Sequence, residues 1–456
     1  VQQDYNTSNT VVGGMLTMTH RRIKDDHLDF LNRSAYSGGL DLRHYWLNKT
    51  YYLDAKAIFS SVDGHEKAMQ TLQTSPTHYF QRSDAGYLDV DSSRTSLAGH
   101  GVFLEIGKGG NGNWRWEAGA SYRSPGLELN DIGFMSAADD ITAQGNIGYV
   151  QNRPNRLFRR YAIESGYDQS WNFGGEATNT NVSLNLEGEL VNKWQIFTNV
   201  IRESDHLDMR LLRGGPAMFV QGWWHNMIRI STDDSRRLAG GLRTHAHRYD
   251  DRISKIFDIN PFATWKATNV VRLVADINLS NSTNAVQYIS TISAGDRDAF
   301  MLGELVRNTL GMTVRFDVAM TPELTLQYYA NPYISVGRYA HIKKVVLPRA
   351  QHGGEQFHLF NDEALRFVTQ DNSYAVDDNG RTLLFSNPDF DYRAFRSNLV
   401  ARWEFRPGST FFLVWTHGRS QYDNVRSPSL NDGLRTLFAA AAENVFLLKF
   451  NYWFSI

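Results

Sequence analysis

The chain ends on a strict two-residue alternation. Phe446, Leu448, Phe450, Tyr452, Phe454 and Ile456 occupy one phase, and Leu447, Lys449, Asn451, Trp453 and Ser455 the other. Successive side chains of a strand point to opposite faces, so this segment offers one apolar face and one face bearing polar groups. A strand that closes a transmembrane β-barrel reads this way, apolar toward lipid and polar toward the lumen.

The pattern recurs along the chain. Val182, Leu184, Leu186 and Leu190 oppose Asn181, Ser183, Asn185, Glu187 and Glu189, and Leu53, Ala55, Ala57 and Phe59 oppose Asp54, Lys56 and Ser60. Leu273, Ala275 and Ile277 oppose Arg272, Asp276 and Asn278; Val314, Phe316 and Val318 oppose Arg315 and Asp317; Leu399, Ala401, Trp403 and Phe405 oppose Arg402 and Glu404. Lys56, Glu187, Glu189, Arg272, Asp276, Arg315, Asp317, Arg402 and Glu404 are thereby expected to face a lumen, and their mixed signs predict no strong ion selectivity. A β-sandwich strand alternates too, but charge confined to one phase over so many segments favours the barrel.

Composition excludes the helical alternative. No run of apolar residues is long enough to span a bilayer as a helix, and mean hydropathy is −0.42. The 26 Phe, 21 Tyr, 11 Trp and 36 Gly suit interfacial belts and tight turns. The absence of Cys removes disulfides and thiolate metal sites, and a net charge of −1 gives no electrostatic case for nucleic acid. No signal-peptide pattern opens the chain, and residues 1–9 read as the end of a strand followed by a turn, so the chain is expected to begin inside a barrel, N-terminally truncated.

Connections alternate in length. Turn chemistry falls at Asn48 and Lys49, 109–112, Asn192 and Lys193, Thr268 and Asn269, 321–323, and Pro407 and Gly408, with longer connections near 21–33, 63–95, 124–139, 207–216, 284–303, 338–392 and 421–441. The expected fold is all-β: one domain over residues 1–456, a transmembrane antiparallel up-and-down β-barrel. Its strands number about eighteen from Thr10 onward, with sixteen or twenty as alternatives. Short turns and the C-terminus would be periplasmic and the long loops extracellular, 338–392 being the largest insertion. The only short helical candidate, 64–74, would sit in an outer loop.

Few residues suggest a site. Asn130, Asp131 and Arg213 fall in outer loops and suit either ligand contact or bracing of the mouth. Trp223 and Trp453 lie on the polar phase and are candidates for stacking on sugars, whereas Trp114, Trp116, Trp224 and Trp403 suit an interfacial belt. His245 and His247 share a strand face with Arg243 and form a weak metal pair lacking an identifiable third ligand. No nucleophile elbow, metalloprotease helix or paired-carboxylate arrangement appears, so neither catalytic residues nor a cofactor are expected.

Three stretches carry a family resemblance. They run from Ser124, Pro125 and Gly126 through Asn130, Asp131 and Phe134; over Arg213, Gly214, Gly215 and Pro216; and from Asn387, Pro388, Asp389 and Phe390 through Arg402, Trp403 and Glu404 to Pro407, Gly408, Ser409 and Thr410. Together they resemble the Bacteroidota outer-membrane β-barrel of the domain-of-unknown-function family 5916. That barrel usually follows a module similar to carbohydrate-binding-module family 9, which this chain lacks. The resemblance implies a cell-envelope location in a Gram-negative outer membrane and a lean toward saccharides, with no catalytic residues to transfer. The expected function is a porin-like barrel that binds or passes a small hydrophilic solute, saccharide-related, with outer-membrane lipid as its surroundings. The alternatives are a loop-plugged structural or interaction subunit with protein partners at its outer loops and, more distantly, a barrel-embedded hydrolase.

Overall fold

A computed structural model describes residues 2–294, 297–361, 363–378, 380–425 and 428–454. Its main element is a 20-stranded antiparallel sheet. The sheet comprises Gln2–Tyr5, the short Phe357–Leu359 and eighteen strands running as a meander from Thr10–His20 to Glu443–Asn451. Each strand of the meander pairs with the next, and it is interrupted only where long connections carry small elements of their own. Among the described residues, Gln2–Tyr5 and Glu443–Asn451 each pair on one side only. Among the described residues no helix is long and apolar enough to cross a membrane.

The two phases of each strand meet different surroundings. On Ala177–Leu190 the apolar phase stands exposed, Leu186 at 36% and Val182 at 50%. The polar phases bond laterally from strand to strand: Asn199 donates to Asn185 at 2.6 Å, Asn146 to Glu117 at 2.7 Å, and Asn260 to Asn278 at 2.7 Å. This inverts the soluble arrangement, in which apolar faces are removed from water and polar ones meet it. Exposed Trp114, Trp116, Trp265 and Trp403 all lie near the short-turn end of their strands.

Two expectations fail. A helix that the sequence did not suggest, Leu430–Thr436, forms in the 421–441 connection. Residues 284–303 form no connection: Val271–Ala294 and Arg297–Ala319 pair along their whole length, from Val271 with Val318 to Ala294 with Arg297. Pairing to the preceding strand ends at Thr283, so the hairpin continues roughly 30 Å beyond it at strand rise. Residues 338–345 likewise continue the strand Leu324–Val345.

The projecting hairpin carries an apolar core on each face. Met301 and Leu302, both fully buried and adjacent in sequence, face opposite sides. Met301 packs with Ile342, Phe360, Val376, Leu383 and Phe385, the last three from the three-stranded sheet Leu365–Val368, Ser373–Asp378 and Arg381–Ser386. Leu302 packs with Leu212 and Met218 of the 204–222 connection. The helix Glu66–Thr74 lies where the sequence places it, with Ala68 and Met69 buried against Ala35, Val62, Phe80 and Leu97.

These long connections converge. Arg349 bonds both Asp84 and Glu176 at 2.5 Å, tying together connections that follow widely separated strands of the meander. Arg210 donates to the Pro76 and Ser136 carbonyls at 3.1 and 2.7 Å, and the Phe219 amide to the Pro348 carbonyl at 2.9 Å. The sheet therefore curls far enough to bring its long-loop ends over one another.

Candidate functional site

Strand register assembles a row at the long-loop end. Asp168 lies opposite Asn181, Asn181 opposite Glu203, Glu203 opposite Trp223, and Trp223 opposite Tyr249. Directly opposed residues share a face, so five strands contribute one polar and aromatic band just below the converging loops. The rings of Trp223 and Tyr249 lie 6.5 Å apart, and the His247 ring is 5.4 Å from Trp223.

Above this band lies a cavity of about 1010 Å³. Glu203, Trp223 and Tyr249 form one wall, Asn284, Ala285 and Glu304 of the projecting hairpin another, and His341, Lys343 and residues 351–359 the third. Several lining carboxylates are already engaged. Glu203 pairs with His206 at 3.2 Å, Glu304 with His341 at 2.8 Å, and Asp250 with Arg202 at 2.6 Å. Asp251 accepts from the Ile253 and Ser254 amides at 2.8 and 2.7 Å, an Asx-type turn that shapes the rim. The Lys343 ammonium stands 4.8 Å from the centre of the Phe357 ring.

Below Trp223, His225 supplies the imidazole that the sequence pattern did not provide. Its ring stacks on His247 at 4.2 Å, and its Nε2 lies 3.4 Å from His245 Nδ1. Stacked rings direct their in-plane lone pairs past one another. Among the described residues no group of three His, Asp or Glu converges as a metal site.

The loop candidates are engaged with other loops. Asp131 accepts from Arg21 at 2.5 Å and Asn32 at 2.8 Å, joining the 124–139 connection to the one between Thr10–His20 and Asn32–Trp46. Asn130 accepts from the Met135 amide at 2.7 Å and closes its own turn. Arg213 lies 4.5 Å over the Tyr288 ring. Trp453, which the alternation puts on the polar phase, lies beyond the last strand, which ends at Asn451, at the opposite end of the sheet, where its amide donates to Ser409 Oγ at 3.0 Å.

The charged inner-phase residues pair locally. Arg160 reaches Glu187 at 3.2 Å, Arg159 reaches Glu189 at 2.6 Å, Arg243 reaches Asp276 at 3.3 Å, and Arg402 reaches Glu404 at 2.7 Å. Arg272 lies opposite Asp317 in register, Lys56 is 5.0 Å from the Phe103 ring, and Arg315 is 5.6 Å from Tyr329. Glu203, Tyr249 and Arg349 carried no signal in the sequence; only strand register and loop convergence reveal them.

No curated protein matches the chain in sequence. Among solved structures, a mutant form of the ferric enterobactin receptor of Pseudomonas aeruginosa is similar at a TM-score of 0.42 and 8% identity. That match covers 96% of this chain and 72% of that one. The siderophore receptor PirA from Acinetobacter baumannii gives 0.37 at 8%, covering 98% and 73%. The RagAB peptide transporter gives 0.36 at 8%, covering 91% and 49%. Likenesses at these scores carry no weight for what the chain binds. The family model for a domain of unknown function, DUF5916, matches residues 65–456, and the chain belongs to that family.

Proposed function

We propose that this chain is an outer-membrane β-barrel that binds a small hydrophilic solute at its loop-capped mouth. Placement in a membrane is supported by the inverted faces: apolar phases exposed outward, polar phases bonded to one another, and exposed Trp114, Trp116, Trp265 and Trp403 near the short-turn end with Trp224 at the other. The short-turn end and the C-terminus would then be periplasmic and the converging loops extracellular. The observation that carries the binding function is the cavity of about 1010 Å³ against the Glu203, Trp223 and Tyr249 row, a volume ample for a small solute. Two aromatic faces beside hydrogen-bonding carboxylates suit a saccharide ring.

The mouth is covered, which favours capture over free diffusion. Arg349 clamps connections from distant strands, so the intact protein in a planar bilayer is expected to show little steady conductance. Arg349→Ala should raise the open fraction severalfold. A steady, porin-sized conductance in the unmodified protein would replace capture with free passage. Calorimetric titration with a panel of monosaccharides tests binding itself: Trp223→Ala is expected to weaken the best ligand about tenfold, since it removes both burial and a ring contact. Equal affinity in the variant would remove the cavity from consideration.

A further inference from the structure

The cavity presents an asymmetric set of charges. Glu203, Asp208, Asp250, Asp251 and Glu304 line it, against Lys343 as the only lysine or arginine in the lining. The pairings of these carboxylates do not balance them. Asp250 has Arg202 outside the cavity, and Asp208 and Asp251 accept chiefly from backbone amides; Glu203 meets the His206 imidazole and the Trp223 indole, and Glu304 meets the His341 imidazole, with the single ammonium of Lys343 shared between Glu304 and Asp251. Asp168, in the same lateral row as Glu203, brings a further carboxylate to this side. Low-dielectric walls focus such a field onto whatever enters.

A second feature favours a cation. Trp223 and Tyr249 offer ring faces, whose negative quadrupoles attract cations. The surplus in the lining is thus of negative charge.

We infer that the solute taken by this cavity carries a primary ammonium group, as an amino sugar does, with the ammonium held at the Glu203 side and the ring against Trp223 and Tyr249. This rests on the solute-binding reading above and names its ligand class. A neutral sugar would gain the stacking but leave the acidic field uncompensated, and a sugar acid would be repelled by it. Lys343, on Phe357, acts on Glu304 and Asp251, while the charges acting on Glu203 are those of His206, Asp168 and Asp208.

The experiment is calorimetric titration of the full chain in detergent with glucosamine, glucose and glucuronate. It is run at low salt near pH 7, where the sugar amine is largely protonated. Glucosamine is expected to bind about tenfold or more tighter than glucose, with glucuronate weakest. That preference should shrink to within about twofold in Glu203→Gln, and shrink likewise for the unmodified protein at high salt. The salt series stands on its own if the variant does not fold. Equal binding of glucosamine and glucose, or preference for glucuronate, would overturn the ammonium assignment while leaving solute capture in place. Binding by none of the three would overturn both.

Discussion

Leu186→Arg is expected to destabilise the protein in a bilayer by about 2–4 kcal/mol, the cost of a cation near mid-membrane on the lipid face of a barrel. Leu186 lies on the exposed apolar phase of Ala177–Leu190, opposite Ile163 and Thr198. Its neighbour Glu187 points the other way, where it pairs with Arg160 at 3.2 Å, both side chains about half exposed. Glu187→Arg breaks a pair of a kind worth no more than about 1 kcal/mol, and its new charge remains in water. Equilibrium folding into lipid vesicles, followed by urea titration, separates the two. Comparable losses at both positions would contradict the inverted arrangement of faces, and with it the membrane placement. A soluble, detergent-free protein unaffected by either change would do the same.

The alternation that makes this contrast testable was legible because it repeats. A strand between lipid and lumen must keep its phase, and Leu186 and Glu187 can be assigned without knowing any neighbour. Phase fails where the surroundings change. Between 284 and 303 the strands leave the level of their neighbours, and register shifts at Asn284/Gln287 and Tyr288/Ser290 break the period. Both faces there are apolar because each meets its own core, so the segment resembles a connection rather than a two-faced strand. Phase also gives a face but no height. Trp223 and Trp453 are equivalent by alternation, yet one lines the cavity and the other caps a turn at the far end. The partners of Trp223 depend on register across the 204–222 connection, and Arg349 meets Asp84 and Glu176 across 265 and 173 residues. No local pattern encodes such contacts. Asp131 was visible as a loop carboxylate suited to contact or bracing, and its bonds to Arg21 and Asn32 are contacts within the cap.

The same cap contains the second large effect. His78 and Glu128 bury their side chains almost completely, with Nε2 and Oε2 3.0 Å apart. His78 Nδ1 faces the Pro125 carbonyl at 2.8 Å, and a carbonyl only accepts, so Nδ1 carries a proton. An ionised Glu128 then requires a proton on Nε2 as well, making the contact an imidazolium–carboxylate pair inside the cap. Burial pushes the Glu128 carboxyl up, but hydrogen bonds from His78 and the Asn130 amide outweigh it and hold the group below its ordinary value of 4.5. A carboxyl lowered in the folded state contributes stability that is present above its unfolded value and lost as pH falls through the lowered one. Amides of 65–95 and 124–139 should therefore lose hydrogen-exchange protection in acid below the usual carboxylate range, while those of the strands stay protected. Glu128→Ala should loosen the cap at neutral pH, because it removes the partner of the buried His78 ring and of the Asn130 amide, and leaving buried polar groups unpaired costs about 1–3 kcal/mol. Replacing both partners, His78→Leu with Glu128→Met, should recover part of that loss, since no imidazole is then left without a partner. If the single and double variants exchange alike, the orphaned imidazole is not the source of the loss, and the His78–Glu128 contact does not hold the cap.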